Sequence, residues 1–240
     1  MHNGTPWIQP LGGADYVRET AFGTWFLDTQ TWVQHVLHRA LDDLQRLMDP
    51  ARHYADVLDV GCGRGRALPL LDQRFKPQRI VAMDPEDAVR AWVDRVAPQC
   101  QSAVRFHAAN AALTGLPDAS FDLVFCHQTF HHIVDQAAAM SEFHRVLKPG
   151  GVLLFAESTI HFIHSWSIRL LFRHPMDVQK TADEYIALIR RAGFQVPEKN
   201  ISLPYTWWSR ADLGLLEKLG FPPRPDHDQT LVNLVAVKAG

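Results

Sequence analysis

Asp59, Gly61, Gly63 and Asp84 have the types and spacing of a ligand site, and His127, His131 and His132 are side chains that can move a proton. In the run Val57-Leu-Asp-Val-Gly-Cys-Gly-Arg-Gly-Arg66 the glycines let the backbone turn sharply and keep side chains out of the space beside it. An acid two residues before the first glycine repels a pyrophosphate and suits a cationic group. The third glycine also comes one residue early for the nicotinamide pattern G-x-G-x-x-G. Asp84 follows about 20 residues after the loop, at the end of an apolar run, where its carboxylate can accept from both hydroxyls of a ribose. Hydrogen bonds to a charged group contribute about 1.5–3 kcal/mol each.

The elements that must position these residues read directly from the pattern. Ala55, Val57, Leu58 and Val60 form a strand covered on both faces, and the glycine turn leads to a helix bearing Leu68, Leu71 and Phe75. Such a helix aims unpaired N–H groups at whatever lies in the turn. Further strands are expected at Arg79–Asp84, Ala103–His107, Phe121–Cys126 and Val152–Glu157, with a last pair at 194–196 and 231–237. Helices alternate with them: one over 86–97, one capped by Asp135, and one opened by the capping box Thr181-Ala-Asp-Glu184 and closed by Gly193. Upstream, Val33 through Met48 repeat at helical spacing, and Asp49-Pro50 stops that helix.

The acid and glycine loop, together with Arg145-Val-Leu-Lys-Pro-Gly-Gly-Val-Leu-Leu, resemble the class I S-adenosylmethionine-dependent methyltransferases of small-molecule type over about residues 55–157. Residues 181–238 follow the family by layout alone. The resemblance implies an α/β fold: a doubly wound, Rossmann-like, mostly parallel seven-stranded sheet with helices on both faces and an antiparallel last strand. It also implies S-adenosylmethionine as cofactor, S-adenosylhomocysteine as product, and cofactor contacts from Asp59, Gly61, Cys62, Gly63, Asp84, Pro85, Asn110, Ala111 and His127. Pro85 is expected to pack on the adenine, and the N–H of Ala111 to face a ring nitrogen. Asn110 departs from the acid usual in that stretch, which removes on the order of 1 kcal/mol.

His127 and then His131 are the expected general bases, being placed at a strand end near the switch in strand order. A metal site is not expected, because H-x-x-x-H-H without acids or thiols is not a familiar ligand spacing; helix capping by His131 or His132 is the plainer alternative. Residues 1–50 are expected to form an arm and lid helices and 51–240 the core, with pocket insertions at about 158–180 and 203–228. Trp25, His131, His161, Trp166 and Trp207 are the candidate substrate contacts. Packing against the core is the alternative for Tyr16, Phe22, Trp25 and Phe26, and a helix pair or a membrane surface for 158–175. Arg18 is a candidate for the cofactor's carboxylate, or else a solvated arginine.

Composition narrows the rest. The chain has 240 residues, 47% hydrophobic, and a formal charge of −2 without blocks of like charge, which argues against a nucleic-acid surface. Three cysteines, Cys62, Cys100 and Cys126, make no disulfide framework and suit a reducing cytoplasm. No membrane span or signal peptide is expected, and the first 14 residues read as a flexible arm. The partner is then a small-molecule substrate, apolar or aromatic. The competing readings are a methyltransferase-like binding module without turnover and a nicotinamide oxidoreductase.

Overall fold

The structure, a computed structural model, describes residues 8–11 and 14–17 as backbone, and 19–210, 214–222 and 226–240 in full. Arg18 and the side chain of Tyr16 lie outside the described residues. Within the expected arm, β1 (Ile8–Leu11) and β2 (Ala14–Val17) pair antiparallel. Then come α1 (Ala21–Leu27), capped by the Thr20 hydroxyl, and α2 (Gln30–Trp32), which runs through a π-wound turn, Val33–Leu37, into α3 (His38–Leu47). The apolar spacing from Val33 to Met48 foretold this helix but not its π turn.

The core alternates as expected: β3 (Asp56–Val60), α4 (Leu68–Phe75), β4 (Arg79–Asp84), α5 (Arg90–Val96), β5 (Ala103–Ala108), β6 (Phe121–His127), α6 (Gln136–Val146) and β7 (Leu147–Ser158). The second half holds α7 (Ile160–Ile163), α8 (Trp166–Leu171), α9 (Ala182–Arg191), β8 (Phe194–Gln195), β9 (Ile201–Ser202), α10 (Leu215–Lys218) and β10 (Leu231–Lys238). Strand order is β5-β4-β3-β6-β7-β10-β8, a seven-strand path, with the two-residue β9 also on β10. Pairs within β5-β4-β3-β6-β7 are parallel, and β10 runs antiparallel to β7.

Two apolar layers sandwich the sheet. One holds Leu58, Phe121, Phe143 and Tyr185; the other holds Leu37, Leu41, Leu68 and Phe125. Local signals set the helix ends. Asp135 accepts from the N–H of Ala138 at 3.0 Å, and Thr181 and Glu184 close their reciprocal box. Lys148 bonds both Asp56 and Asp122, which ties the Lys-Pro-Gly-Gly bend to the starts of β3 and β6. The consequence for function is positional. Connections leave β3 toward β4 and β6 toward β7, on opposite sides, so a crevice opens above the carboxyl ends of β3 and β6.

Candidate active site

That crevice is a cleft of about 750 Å³. Asp59, Gly61, Cys62, Gly63 and Asp84 floor it, with Glu86, Val89 and Trp92 beyond them. Gly61 and Gly63 hold φ of +68° and +48°, which lets the N–H groups of Gly61 and Cys62 turn back to the carbonyl of Met83 at 2.8 and 3.0 Å. The N–H of Gly63 donates to one oxygen of Asp84 at 3.0 Å, and that of Glu86 to the other at 3.0 Å. The Asp84 carboxylate is therefore oriented before any ligand arrives.

Asp59 is 2% exposed, and its Oδ2 has no hydrogen-bond partner among the described residues. Burial, then the charge of Asp84, pushes it up to about 7, and burial raises Asp84 to about 6. An orphaned, buried carboxylate oxygen beside a glycine turn fits the ammonium end of an aminoacyl nucleoside, and an oriented acid at the next strand end fits its ribose.

Pro85, Asn110 and Ala111, also expected as contacts, are not among the residues that line this cleft. Asn110 turns its amide oxygen onto the N–H of Ala112 at 2.8 Å to close a local turn, and Ala111 packs into the core. The α1–α2 region lines one side of the cleft through Thr24, Trp25, Asp28 and Trp32. Asp28 pairs with both Arg64 and Arg66, which ties this region to the glycine loop. Arg64 also lies over the ring of Trp92, 4.4 Å from its centroid.

A second, narrower cavity of about 280 Å³ shares Glu19, Leu27, Trp32 and Gln128 with the cleft. Phe22, Phe26, Phe172 and Trp207 give it an aromatic wall, and His131, His132 and His174 form its polar end. His131 is oriented by Glu157, the fully buried acid near the end of β7. Glu157 Oε1 accepts the N–H groups of Thr129 and Phe130 at 2.7 and 2.6 Å, and Oε2 accepts from His131 Nδ1 at 2.5 Å. That bond fixes the tautomer with the proton on Nδ1 and leaves Nε2 as the acceptor. Burial, then His131 and His132, drives the pKa of His174 far down.

The other expected residues separate. His127 ends β6 stacked on Phe125, and burial, then His131, holds its pKa at about 3. It touches the cleft, and burial favours its neutral ring. Trp25 lines the glycine-loop cleft instead of the aromatic cavity, and Trp207 lines the cavity. Trp166 is 70% exposed on α8 and lines neither. His161 points elsewhere, 3.7 Å from Asp228 in a separate pocket with Tyr205 and Arg210. The aromatic content of 158–175 signalled a pocket wall, but the helical phase of α8 turns Ile168 and Leu171 inward and Trp166 out. Glu157, Glu19 and His174 were not singled out from the sequence. An acid near a core strand end was the one signal available for Glu157.

Comparison with known proteins bears on the family and the fold. The family described as a methyltransferase domain matches residues 58–155. A probable S-adenosylmethionine-dependent methyltransferase of Mycolicibacterium smegmatis is 31% identical over 82% of this chain and 69% of its own. The trans-aconitate 2-methyltransferase of Deinococcus radiodurans is 31% identical over 51% of this chain, which spans 48% of that enzyme. Among solved structures, a putative methyltransferase bound to the Haloferax volcanii Trm112 methyltransferase activator has a TM-score of 0.66 at 19% identity, covering 91% of this chain and 96% of the other. At that identity the likeness speaks to the fold alone.

Proposed function

We propose that this chain, which belongs to the class I S-adenosylmethionine-dependent methyltransferase family, methylates a small apolar or aromatic acceptor held in the aromatic cavity. The observation that carries the reading is the shared wall. Glu19, Leu27, Trp32 and Gln128 border both spaces, so a ligand in the cleft lies beside a ligand in the cavity. When bound, S-adenosylmethionine supplies a methyl already activated by its sulfonium, and the C–S bond breaks as the acceptor's new bond to carbon forms. Asp59 holds the amino end, Asp84 the ribose hydroxyls, and α1 with α2 serves as a lid that keeps water out. His131 Nε2 takes the acceptor's proton, and Glu157 steadies the imidazolium that results.

Release of S-adenosylhomocysteine across a panel of phenols, hydroxy acids and aromatic amines tests this reading. With an acceptor found, His131→Ala should lower kcat by about 10²–10⁴-fold at unchanged cofactor affinity. His127→Ala should cost less than about tenfold, since its ring is already neutral. Equal losses in the two variants, or turnover confined to macromolecules too large for the cavity, would overturn the assignment.

Cofactor affinity should also depend on pH. Asp59 retains a proton up to about pH 7 in the folded protein, whereas the unfolded chain loses it near its ordinary value. The free protein therefore loses stability as pH rises between those points. An ammonium partner reverses the shift, so binding expels that proton and affinity climbs with pH up to about 7, by at most about tenfold per unit. Calorimetric titrations from pH 6.5 to 8, above the range of Asp84, should show affinity levelling off past about 7, and Asp59→Asn should flatten the profile while weakening binding throughout.

A further inference from the structure

We propose that His131, His132 and His174 form a divalent metal site at the polar end of the acceptor cavity, with Glu19 as the adjacent carboxylate. The triad was not visible as a spacing, because His174 arrives from beyond α8, more than forty residues after the other two. Their ligand nitrogens all lie within 4.8 Å of one another, and the ring centroids are 4.4, 4.9 and 5.0 Å apart. Two nitrogens on one zinc ion, each about 2.0–2.1 Å from it, sit about 3.4 Å apart, so the rings need to close by about 1.4 Å at most.

The chain around the triad holds it in place. Gln179 donates its amide to the carbonyls of His131 and Pro175, at 2.8 and 2.7 Å, and so staples the two histidine segments together. On the other side Glu19 Oε1 accepts the N–H groups of Thr20 and Arg173, at 2.6 and 2.9 Å, which leaves Oε2 facing His132 at 3.9 Å. Glu157 on His131 Nδ1 is the carboxylate that commonly backs a metal-bound imidazole. Packing alone does not account for the set. Three imidazoles turned onto one another in an aromatic wall desolvate ring nitrogens that phenylalanine would not carry. Neutral nitrogen donors with a carboxylate suit a first-row cation of zinc type, and the cavity side remains open for an oxygen of the acceptor.

The cation site stands on the histidines; its use rests on the methyl-transfer reading above. There it would hold the acceptor's oxygen as an anion, the proton leaving to water, in place of proton transfer to His131.

The test uses the full chain, stripped with chelator and titrated with zinc and with cobalt(II). One cation per chain, a visible cobalt spectrum of four- or five-coordinate type, and a zinc-dependent rise in melting temperature are expected. His174→Phe keeps the ring packing and removes the donor. It should weaken cobalt binding at least 100-fold at unchanged S-adenosylmethionine affinity, whereas His161→Ala should leave it intact. Salicylate, a small two-oxygen probe, should shift the cobalt spectrum. Failure to retain either metal, or equal binding by His174→Phe, overturns the site. Full methyl transfer by metal-free protein overturns its catalytic use and leaves the proton with His131. Loss of cofactor binding in the wild-type chain would instead strike the methyl-transfer reading alone.

Discussion

Glu157→Gln is expected to lower kcat by about 10²–10⁴-fold while cofactor affinity stays within about twofold. The amide keeps the shape of the carboxylate, and its oxygen can still accept from Thr129 and Phe130, which donate at 2.7 and 2.6 Å. Its nitrogen, however, faces His131 Nδ1 as a donor. The imidazole must then carry its proton on Nε2, which withdraws the acceptor nitrogen from the cavity. Glu157→Ala should act differently, on the fold. It leaves two backbone N–H groups and one ring nitrogen buried without a partner and opens a void beneath the loop. At about 1–3 kcal/mol for each orphaned group, a loss of about 3–9 kcal/mol follows, or at least about 6 °C in melting temperature for a chain of this size. Thermal melts beside initial rates separate the two effects. A Gln variant with wild-type kcat would show that the tautomer of His131 does not matter, and the proposed base with it.

Much of this arrangement was legible because its signals are local. The acid before the glycine turn, the acid at the end of β4, the Asp135 cap and the Thr181–Glu184 box each act over a few residues, and a single sequence displays them. The parallel order follows from alternation of strands and helices with ordinary crossovers. What stayed hidden depends on contacts between distant segments. Whether His127 is a useful base turns on Phe125 and the neighbouring sheet, which bury it, and not on its place at a strand end. His174 gains meaning only when the chain after α8 folds back against Phe130–His132. Trp166 and Trp207 looked alike as aromatics in insertions, and only helix phase and loop path send one outward and the other into the cavity.

Gly61→Ala should be the most damaging such change among the described glycines, and Gly63→Ala a telling contrast. At Gly61, φ is +68°, where an L-residue costs about 1–2 kcal/mol. A Cβ there would meet Thr129 Cγ2 at 2.1 Å and Oγ1 at 2.4 Å, and overpacking of that kind costs about 1–3 kcal/mol more. Thr129 cannot simply retreat, because its N–H is held by Glu157 and its neighbour Phe130 is fully buried. The displacement should pass through that acid to His131, so stability, cofactor affinity and kcat fall together, with cofactor affinity down at least about 100-fold. At Gly63 φ is +48° but a Cβ would meet nothing within 4 Å, because it projects into the cleft. Stability of the free chain should drop there by only the backbone cost, while cofactor affinity falls on steric grounds. A double-mutant cycle sharpens the contrast. All three of the nearest atoms at Gly61 belong to the Thr129 side chain, so Gly61→Ala with Thr129→Gly should recover the packing part, about 1–3 kcal/mol, and leave the backbone part. Additive losses in that cycle would mean that the glycine turn and the Thr129 loop are not in contact, and the route from the cofactor cleft to the histidine cavity would have to lie elsewhere.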